Sequence, residues 1–490
     1  MCGIAGIIGE VSPRQLDELT DALAHRGPDG RGTVISGSIG FGHRLLRIVG
    51  ECPQPVEQDG CILTYNGEIY GIPGSLSDTA RLIPLYRRYG FPGMLHHLNG
   101  MFAFGLYDKR KGVVYLARDR FGEKPLYYTA NPFAFASEIK ALTHCGEQNY
   151  SALRDYERFQ FVRGRETLFR DVYKLEPASY LVVSDRGEIL ESGRYWDVPD
   201  ISIEPGLDDL SDLKWLIEDA VRIRTRADVP VGTYVSGGLD SSLVTCLAKP
   251  LLAFCGDFPE PGYSELPYAL NAARAAGSFL ASAHIFSDDL MSCLDGVIYH
   301  LDEPAAGVGA LPQYLVARLA ARDVKVVLTG QGADEIFGGY ARYADCAGIP
   351  RPDGYESYKL PEQYRGMTLD EAQRWDIEHS LPALLHVDDR VNMAHGIESR
   401  APFLDHRIAE FVFSRPTVWR LQDRKLKGAL RRIARGIVPD SIIDRTDKMG
   451  FPVPLMEWFG DGFSGSQREL WQKLSLTTWH GIFIEERAAA

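Results

Sequence analysis

The chain has 490 residues, of which 45% are hydrophobic, 11% aromatic and 24% charged. A chain of this length exceeds what one hydrophobic core organises, so two or three domains are expected. The composition excludes a largely disordered, collagenous or coiled-coil protein. Acidic residues outnumber basic ones by 66 to 53, a formal net charge of −13. This charge disfavours nucleic acid and anionic membranes as partners, so small molecules are the expected substrates.

The cysteines and the N-terminus indicate where the protein works. Its eight cysteines are scattered, with neither a CxxC pair nor the spacing of a zinc site, which indicates reduced thiols. The sequence contains no apolar run of membrane-spanning length, and Glu10 and Arg14 come too early for a secretory signal. A cytoplasmic protein is therefore expected.

The chain changes character near residue 196. Up to that point, short apolar runs alternate with turn signals, which predicts a β-rich domain with helices over 12–24 and 78–89. Residues 197–207 contain two prolines, a glycine and several acids, a composition typical of a linker. Over 208–490, strand patterns alternate with amphipathic helical patterns such as 208–226 and 311–322, which predicts a parallel α/β sheet.

Cys2 follows the initiator methionine directly. Removal of Met1 would leave an α-amine beside a thiol, and such an amine can act as general base for its own side chain. The alternative is that Cys2 is only a small residue that opens a buried strand. The turn sequences 25–30 and 65–71 favour the catalytic interpretation, because they supply the backbone donors that acyl transfer requires.

The segments MCGIAGIIG, HRGPDG, GHRLLRIVG, YNGEIY and LNGMFAFGLYD together resemble the glutaminase domain of glutamine-hydrolysing asparagine synthetases. The resemblance implies an αββα N-terminal-nucleophile hydrolase fold. It also implies that Cys2 attacks the glutamine side-chain amide, while Asn66 and the Gly67 N–H stabilise the oxyanion.

The same resemblance implies a binding site for the amino-acid end of glutamine. Arg44 would clamp the α-carboxylate, since a guanidinium binds carboxylates in bidentate fashion. Asp78 and Glu68 would accept the α-ammonium, although Arg44 could also be a surface charge and Asp78 a helix cap. Only seven residues separate Tyr70 from Asp78, and Ala80 replaces an acid usual in the family, which predicts a trimmed pocket rim.

A glycine- and serine-rich loop follows the predicted strand 231–235 and precedes a helical segment. Glycines expose backbone N–H groups, serines add hydroxyl donors and the helix N-terminus adds a positive dipole end, so the loop is suited to phosphate. It lacks the lysine of a Walker A loop. The predicted phosphate-binding residues are Ser236, Gly237, Gly238, Asp240, Ser241 and Ser242.

A second glycine-rich turn, residues 329–340, follows the predicted strand 324–328. Turns after parallel strands meet at the carboxyl edge of the sheet, where ligands of such sheets bind, so Gly330 and Gly332 join the phosphate site. Asp240 and Asp334 could there share a Mg²⁺ ion, which prefers one or two carboxylates together with phosphate oxygens. Each aspartate could instead be a helix cap or a surface charge.

SGGLDSS, LDEP (301–304), TGQGADEIFGGY, GIESRAPFLD (396–405) and KMGFPVP (448–454) resemble the synthetase domain of the same family. The resemblance implies a Rossmann-like ATP-pyrophosphatase fold, a homodimer, and adenylation of a carboxylate by ATP and Mg²⁺. Ammonia from the first domain would then attack the acyl-adenylate. Lys427 would steady the pyrophosphate, although the basic run 424–427 leaves the choice of lysine open, and Arg400 is a second candidate for this cleft.

Gln331 is the main departure from the family, which carries a glutamate there. Glutamine cannot take a proton from ammonia, but its carbonyl can accept a hydrogen bond. Two acceptors therefore stay open: aspartate, the default of the family, and another carboxylic acid from a specialised pathway. A glutaminase whose second half only binds nucleotide, and an inactive regulatory homologue, are the further alternatives.

Overall fold

The computed structural model describes residues 1–50, 52–71, 77–143, 147–204, 206, 209–305, 307–355, 358–446 and 453–485. The KMGFPVP motif therefore lies outside the described residues except for its last two positions. Within these ranges, no helix is both long enough and apolar enough to cross a membrane.

The first part of the chain forms two antiparallel sheets and a few short helices. The first sheet has the order β10-β8-β9-β1-β3-β2 and the second β12-β11-β7-β6-β5-β4. The strands are β1 (Gly3–Ile8), β2 (Gly30–Ser36), β3 (Ile39–Leu45), β4 (Val56–Gln58), β5 (Cys61–Ile69), β6 (Gly100–Asp108), β7 (Val113–Arg118), β8 (Tyr127–Ala130), β9 (Phe133–Ala136), β10 (Val172–Lys174), β11 (Ser179–Ser184) and β12 (Ile189–Arg194). The helices are α1 (Pro13–Asp21), α2 (Thr79–Tyr89), α3 (Ile139–Leu142) and α4 (Tyr150–Phe159).

The two sheets stack face to face with a helix on each outer side. Their shared core contains Ile4, Phe41 and Leu116. Helix α1 starts at a Ser12 cap with proline in its first turn, and it packs on β1 and β3. Helix α2 packs its apolar face on the second sheet. The predicted αββα architecture is thereby confirmed, with two helices close to their predicted positions.

The second part of the chain is built on a parallel sheet of order β15-β14-β13-β16-β17. Its strands are β13 (Val231–Tyr234), β14 (Leu252–Asp257), β15 (Phe279–His284), β16 (Val326–Leu328) and β17 (Glu398–Arg400). The helices are α5 (Asp209–Arg224), α6 (Leu239–Ala248), α7 (Leu266–Ala276), α8 (Ser287–Leu301), α9 (Ala310–Ala320), α10 (Ala333–Phe337), α11 (Ala341–Ala347), α12 (Leu369–Trp375), α13 (Leu381–Met393), α14 (His406–Phe413), α15 (Thr417–Arg420), α16 (Gly428–Ala434), α17 (Asp440–Ile443), α18 (Leu455–Phe459) and α19 (Gln467–His480). The predicted parallel α/β sheet is confirmed. The central strands β14, β13 and β16 are short and mostly apolar, whereas the edge strand β17 consists of Glu398, Ser399 and Arg400.

The two sheet systems meet through a buried ionic network. The Arg26 guanidinium contacts Glu138 and Asp389, each at 2.8 Å, and Arg390 contacts Glu138 at 2.7 Å. Arg26 and Glu138 come from the first part of the chain, and Asp389 and Arg390 from helix α13. Arg26 is fully buried, so each of its hydrogen bonds replaces one that water would otherwise make.

We expect Arg26→Ala to lower the free energy of unfolding by roughly 3–5 kcal/mol, because it removes the cation that contacts two buried carboxylates, Glu138 and Asp389, at once. Arg31 is the matched control, since its ion pairs with Asp17 and Asp21 are at the surface and its loss should cost less than about 1 kcal/mol. Chemical denaturation followed by fluorescence measures both variants. Equal losses for the two would show that the network does not hold the domains together.

Candidate active sites

Cys2 lies directly before β1, at the end of the first sheet. Its backbone N–H donates to Asn66 Oδ1 at 2.8 Å, and its carbonyl accepts from Arg26 Nε at 3.1 Å. Burial raises the pKa of the Cys2 thiol to about 11. A thiol with this pKa is almost wholly protonated at neutral pH, so it needs a base beside it to act as a nucleophile.

The α-amine of the chain, the kind of group that could act as this base, belongs to Met1 in the structure. Its α-amine lies 2.7 Å from Glu398 Oε2 on β17, and both groups are fully buried. Met1 also lines the same small pocket as Cys2. Removal of Met1 would turn the backbone nitrogen of Cys2 into the α-amine, as predicted from the sequence, and would also leave more space in the pocket.

Two residues of β5, Asn66 and Gly67, lie beside Cys2. The Oδ1 atom of Asn66 is bound to Cys2, whereas Nδ2 is buried and, among the described residues, has no hydrogen-bond partner. A buried amide donor in this state is suited to an incoming oxyanion. Gly67 has a φ of +154°, and a Cβ atom there would lie 2.1 Å from the Met101 carbonyl oxygen. Only glycine fits so close to β6.

The pocket beside Cys2 has a volume of about 30 Å³ with Met1 in place. Glu68 and Asp78 both line it. Asp78 accepts hydrogen bonds from Tyr65 Oη at 2.7 Å, Ile69 N at 3.0 Å and Thr79 N at 2.8 Å. Asp78 is thus the helix cap of α2, as one interpretation predicted, and it is also placed at the pocket.

The structure contradicts the predicted role of Arg44. This residue lies on β3, and its guanidinium contacts Asp21 and the Thr20 carbonyl of α1, away from the pocket lining. The reason is the alternation of side chains along a strand, which turns Arg44 toward the outer helix. Arg47 lines the pocket instead. Arg47 belongs to the same segment, HRLLRIVG, and is therefore the arginine of this segment that lies at the pocket.

A second and larger cavity, of about 350 Å³, opens at the carboxyl edge of the parallel sheet. The turn after β16 lies against the first turn of α6, the helix that follows β13. The two backbones are so close that a Cβ atom added to Gly330 would lie 2.8 Å from Ser241 N. The Oγ atoms of Ser236 and Ser241 are 3.1 Å apart. The predicted residues that line this cavity are Ser236, Asp240, Ser241, Gly330, Gln331 and Asp334.

Lys427 joins the two loops. Its Nζ atom lies 2.6 Å from Asp240 Oδ2 and 2.6 Å from Asp334 Oδ1. Burial alone would lower the pKa of Lys427, but the charges of Asp240 and Asp334 outweigh it and raise the pKa. Lys427 is therefore the buried lysine of its basic run, whereas Lys425 is exposed.

The convergence of Asp240 and Asp334 on one ammonium shows that their oxygens can share one cation. Within the described ranges, no cluster of three or more His, Cys, Asp or Glu side chains is suited to a metal. Two carboxylates without further protein ligands are what Mg²⁺ uses when phosphate oxygens complete its coordination. The residues present therefore fit the predicted ion.

Other predicted residues lie outside the lining of the large cavity. Gly237, with a φ of +73°, forms the turn behind it, and Gly238 is the N-cap of α6. Ser242 is fully buried, and Gly332 packs against Leu404.

Arg400 also lies outside the lining of the large cavity. Its guanidinium contacts Glu398, Glu68 and the backbone carbonyls of residues 224 and 226. The suggestion that Arg400 belongs to the nucleotide cleft is wrong, since its neighbours are at the boundary between the two sheet systems.

Comparison with known proteins assigns a family to each part of the chain. Residues 1–196 match the model of the glutamine amidotransferase domain, and residues 212–483 match the model of asparagine synthase. The chain belongs to the asparagine synthase family. It is a glutamine-hydrolysing ligase, and ATP is the energy source of its family.

Relatives match over most of this chain. Asparagine synthetase [glutamine-hydrolyzing] 1 of Bacillus subtilis is 29% identical and aligns over 99% of this chain and 98% of its own length. Putative asparagine synthetase [glutamine-hydrolyzing] 2 of Methanocaldococcus jannaschii is 34% identical over 69% of this chain and 76% of its own. Amidase chry2 of Gibberella zeae is 27% identical over 89% of this chain and 84% of its own.

Proposed function

We propose that Cys2, once Met1 is removed, attacks the side-chain amide of glutamine and releases ammonia. The Cys2 α-amine takes the thiol proton and passes it to the leaving nitrogen as the C–N bond breaks, while Asn66 Nδ2 and the Gly67 N–H stabilise the oxyanion. Glu68 and Asp78 accept the α-ammonium of glutamine at the pocket wall. Water then hydrolyses the thioester and returns the enzyme to its starting state.

We propose that the large cavity activates a carboxylate with ATP. The loop of residues 236–242 and Gly330 bind the phosphates, while Lys427 stabilises the charge of the leaving pyrophosphate. Asp240 and Asp334 would hold Mg²⁺, which neutralises phosphate charge when bound. Attack of ammonia on the acyl-adenylate gives the amide and AMP.

The contact of both sites with β17 carries this proposal. On one side of this strand, Glu398 and Arg400 contact Met1 and Glu68 of the glutamine pocket. On the other side, Ser399 donates to Asp388, which lines the large cavity. One three-residue strand thus separates the ammonia source from the acyl-adenylate, which shields ammonia from protonation in water.

The test is a measurement of pyrophosphate and glutamate release with glutamine and MgATP, with and without aspartate, with products identified by mass spectrometry. Aspartate-dependent pyrophosphate together with asparagine would establish aspartate as acceptor. Glutamate release without aspartate-dependent pyrophosphate would direct the search to a library of carboxylic acids. Absence of both glutamate release and pyrophosphate release under every condition would overturn the proposal.

A carboxylic acid other than aspartate is a second candidate acceptor, favoured by the cavity wall. Gln331 there carries no charge, and the described lining residues contribute aromatic and aliphatic surface from Tyr234, Phe258, Tyr263 and Leu384. Apolar surface favours a larger and less polar acid. The relative named as an amidase shows that names in this family are not all asparagine synthetase.

We expect Arg47→Ala to raise the KM for glutamine by roughly 10- to 100-fold with little change in ammonia-dependent activity, because a charged hydrogen bond to the α-carboxylate is lost. Arg44→Ala is the matched control, since its guanidinium contacts Asp21. Steady-state glutaminase kinetics measures both. A larger KM effect at Arg44 than at Arg47 would restore the original prediction.

The remaining features of the proposal rest on sequence. We propose a glutaminase domain over 1–196, a linker over 197–207 and a synthetase domain over 208–490. The scattered cysteines support a cytoplasmic location, and the resemblance to the family supports a homodimer.

A further inference from the structure

Asp388 of helix α13 lies at the wall of the large cavity, at a place the sequence motifs did not indicate. It is 6% exposed and lines the same cavity as Gln331 and the serine-rich loop. We infer that Asp388 is the general base that accepts a proton from ammonia during amide formation, the task that Gln331 cannot perform. This inference rests on the proposed function of the same cavity.

The hydrogen bonds of Asp388 distinguish it from the other acids of the wall. Asp240 and Asp334 contact Lys427, and Glu265 contacts Arg445 at 2.7 Å. The Asp388 carboxylate accepts from the Ser399 hydroxyl at Oδ2 and from Asn392 Nδ2 at Oδ1, the latter at 3.3 Å, and both donors are neutral. A carboxylate held by cations is a weak base, whereas one held by neutral donors keeps its capacity to take a proton.

Burial and neutral hydrogen-bond partners also place the pKa of Asp388 close to neutral pH. Burial raises the pKa of Asp388 to about 6; the Ser399 hydrogen bond and the Lys124 charge oppose that rise, and the Asp389 charge adds to it. Glu123 and Tyr234 are the other titratable groups that interact with it. A base with a pKa slightly below neutral is ionised at pH 7 and still accepts a proton readily.

The position of Asp388 matches the direction from which ammonia comes. Its neighbour Asp389 contacts Arg26, and Arg26 Nε donates to the Cys2 carbonyl. Ser399, which donates to Asp388, is next to Glu398, the partner of the Met1 amine. Asp388 is therefore the acid of the cavity wall that is linked to the Cys2 pocket through both α13 and β17.

The lone pair of ammonia forms the C–N bond to the acyl-adenylate carbon, and the carbonyl π electrons move to oxygen. The resulting ammonium group passes one proton to an Asp388 carboxylate oxygen. The carbonyl then re-forms, the bond to the AMP oxygen breaks with its electron pair on AMP, and Asp388 later releases its proton to water.

The test is Asp388→Asn, which keeps the shape of the side chain and removes the base. We expect the rate of glutamine-dependent amide formation to fall roughly 100-fold or more. Glutamate release should persist, and so should the ATP–pyrophosphate exchange that depends on the acceptor carboxylic acid. These two retained activities verify folding and the proposed function separately. Unchanged amide formation in Asp388→Asn, in an enzyme whose wild type makes amide, overturns the inference.

Three further measurements separate catalysis from a structural role. The ratio of the wild-type rate of amide formation to the rate of Asp388→Asn should fall as pH drops below about 6, because protonated Asp388, like asparagine, cannot accept a proton. Ser399→Ala removes a hydrogen bond that lowers the Asp388 pKa, so this inflection should move to higher pH. Gln331→Glu in the Asp388→Asn background should restore amide formation at least about 10-fold by supplying a new base. A wild-type advantage that is constant from pH 5 to 8 would assign Asp388 a structural role instead.

Discussion

Cys2→Ala is expected to abolish glutamine-dependent amide formation, with a loss of roughly 1,000-fold or more, and to leave ammonia-dependent amide formation intact. The reason is that, in the proposed reaction, the thiol is the group of the first domain that forms a covalent bond to glutamine. The large cavity keeps its residues in this variant, so added ammonium salt can replace the missing source. Pyrophosphate release and product mass with each nitrogen donor give the measurement.

Cys346→Ala serves as the control for this experiment, because Cys346 lies on α11 in the second part of the chain and packs near Tyr364. It should retain both activities. Glutamine-dependent product from Cys2→Ala would move the nucleophile to another residue. Loss of the ammonia-dependent reaction as well would mean that the two sites are not independent.

Lys427→Ala is expected to reduce pyrophosphate release by at least about 100-fold, since it removes the charge that stabilises the leaving pyrophosphate. The variant also leaves Asp240 and Asp334 without the ammonium that contacts both at 2.6 Å. Glutamate release by the first domain should persist and reports on folding. The measurement is acid-dependent pyrophosphate release with saturating ATP.

Lys425→Ala is the matched control, because Lys425 belongs to the same basic run but is exposed. It should keep nearly full activity. Equal effects at the two lysines would imply a general effect of charge on this helix start, and a larger effect at Lys425 would contradict the assignment of Lys427.

Much of the fold was predictable because local patterns and tertiary structure agree. The helices expected over 12–24, 78–89, 208–226 and 311–322 correspond to α1, α2, α5 and α9. The strand patterns 231–235 and 324–328 correspond to β13 and β16. Each pattern combines an apolar periodicity with a turn or cap signal, and burial of the apolar face then fixes the element.

The sites were predictable where the chemistry is carried by neighbours in sequence. Cys2 would have its amine through its own backbone, and three residues of the loop 236–242, Ser236, Asp240 and Ser241, line the large cavity. The sequence also placed Asp240 and Asp334 together, because the turns after adjacent parallel strands must share one edge of the sheet. These predictions needed no knowledge of side-chain direction.

Side-chain direction is what only the tertiary structure decided. A shift of one position along a strand sends a side chain to the opposite face, so Arg44 turns to α1 while Arg47, past the end of β3, lines the pocket. Lys427 has a φ of +57° at the start of α16, and its ammonium reaches both aspartates while Lys425 stays in solvent.

The sequence by itself determined the family and its glutamine-dependent ligase chemistry, and it predicted the residues that would act through their own backbone or loop. The tertiary structure decided which arginine lines the small pocket and which lysine of the basic run is buried, that Arg400 belongs to the domain boundary, and that Asp388 lies at the cavity wall. Asp388 and Gln331 are far apart in the chain, and only the packing of α13 beside the carboxyl edge of the sheet brings them to one cavity. No local pattern encodes such a contact, because it depends on how two distant elements pack.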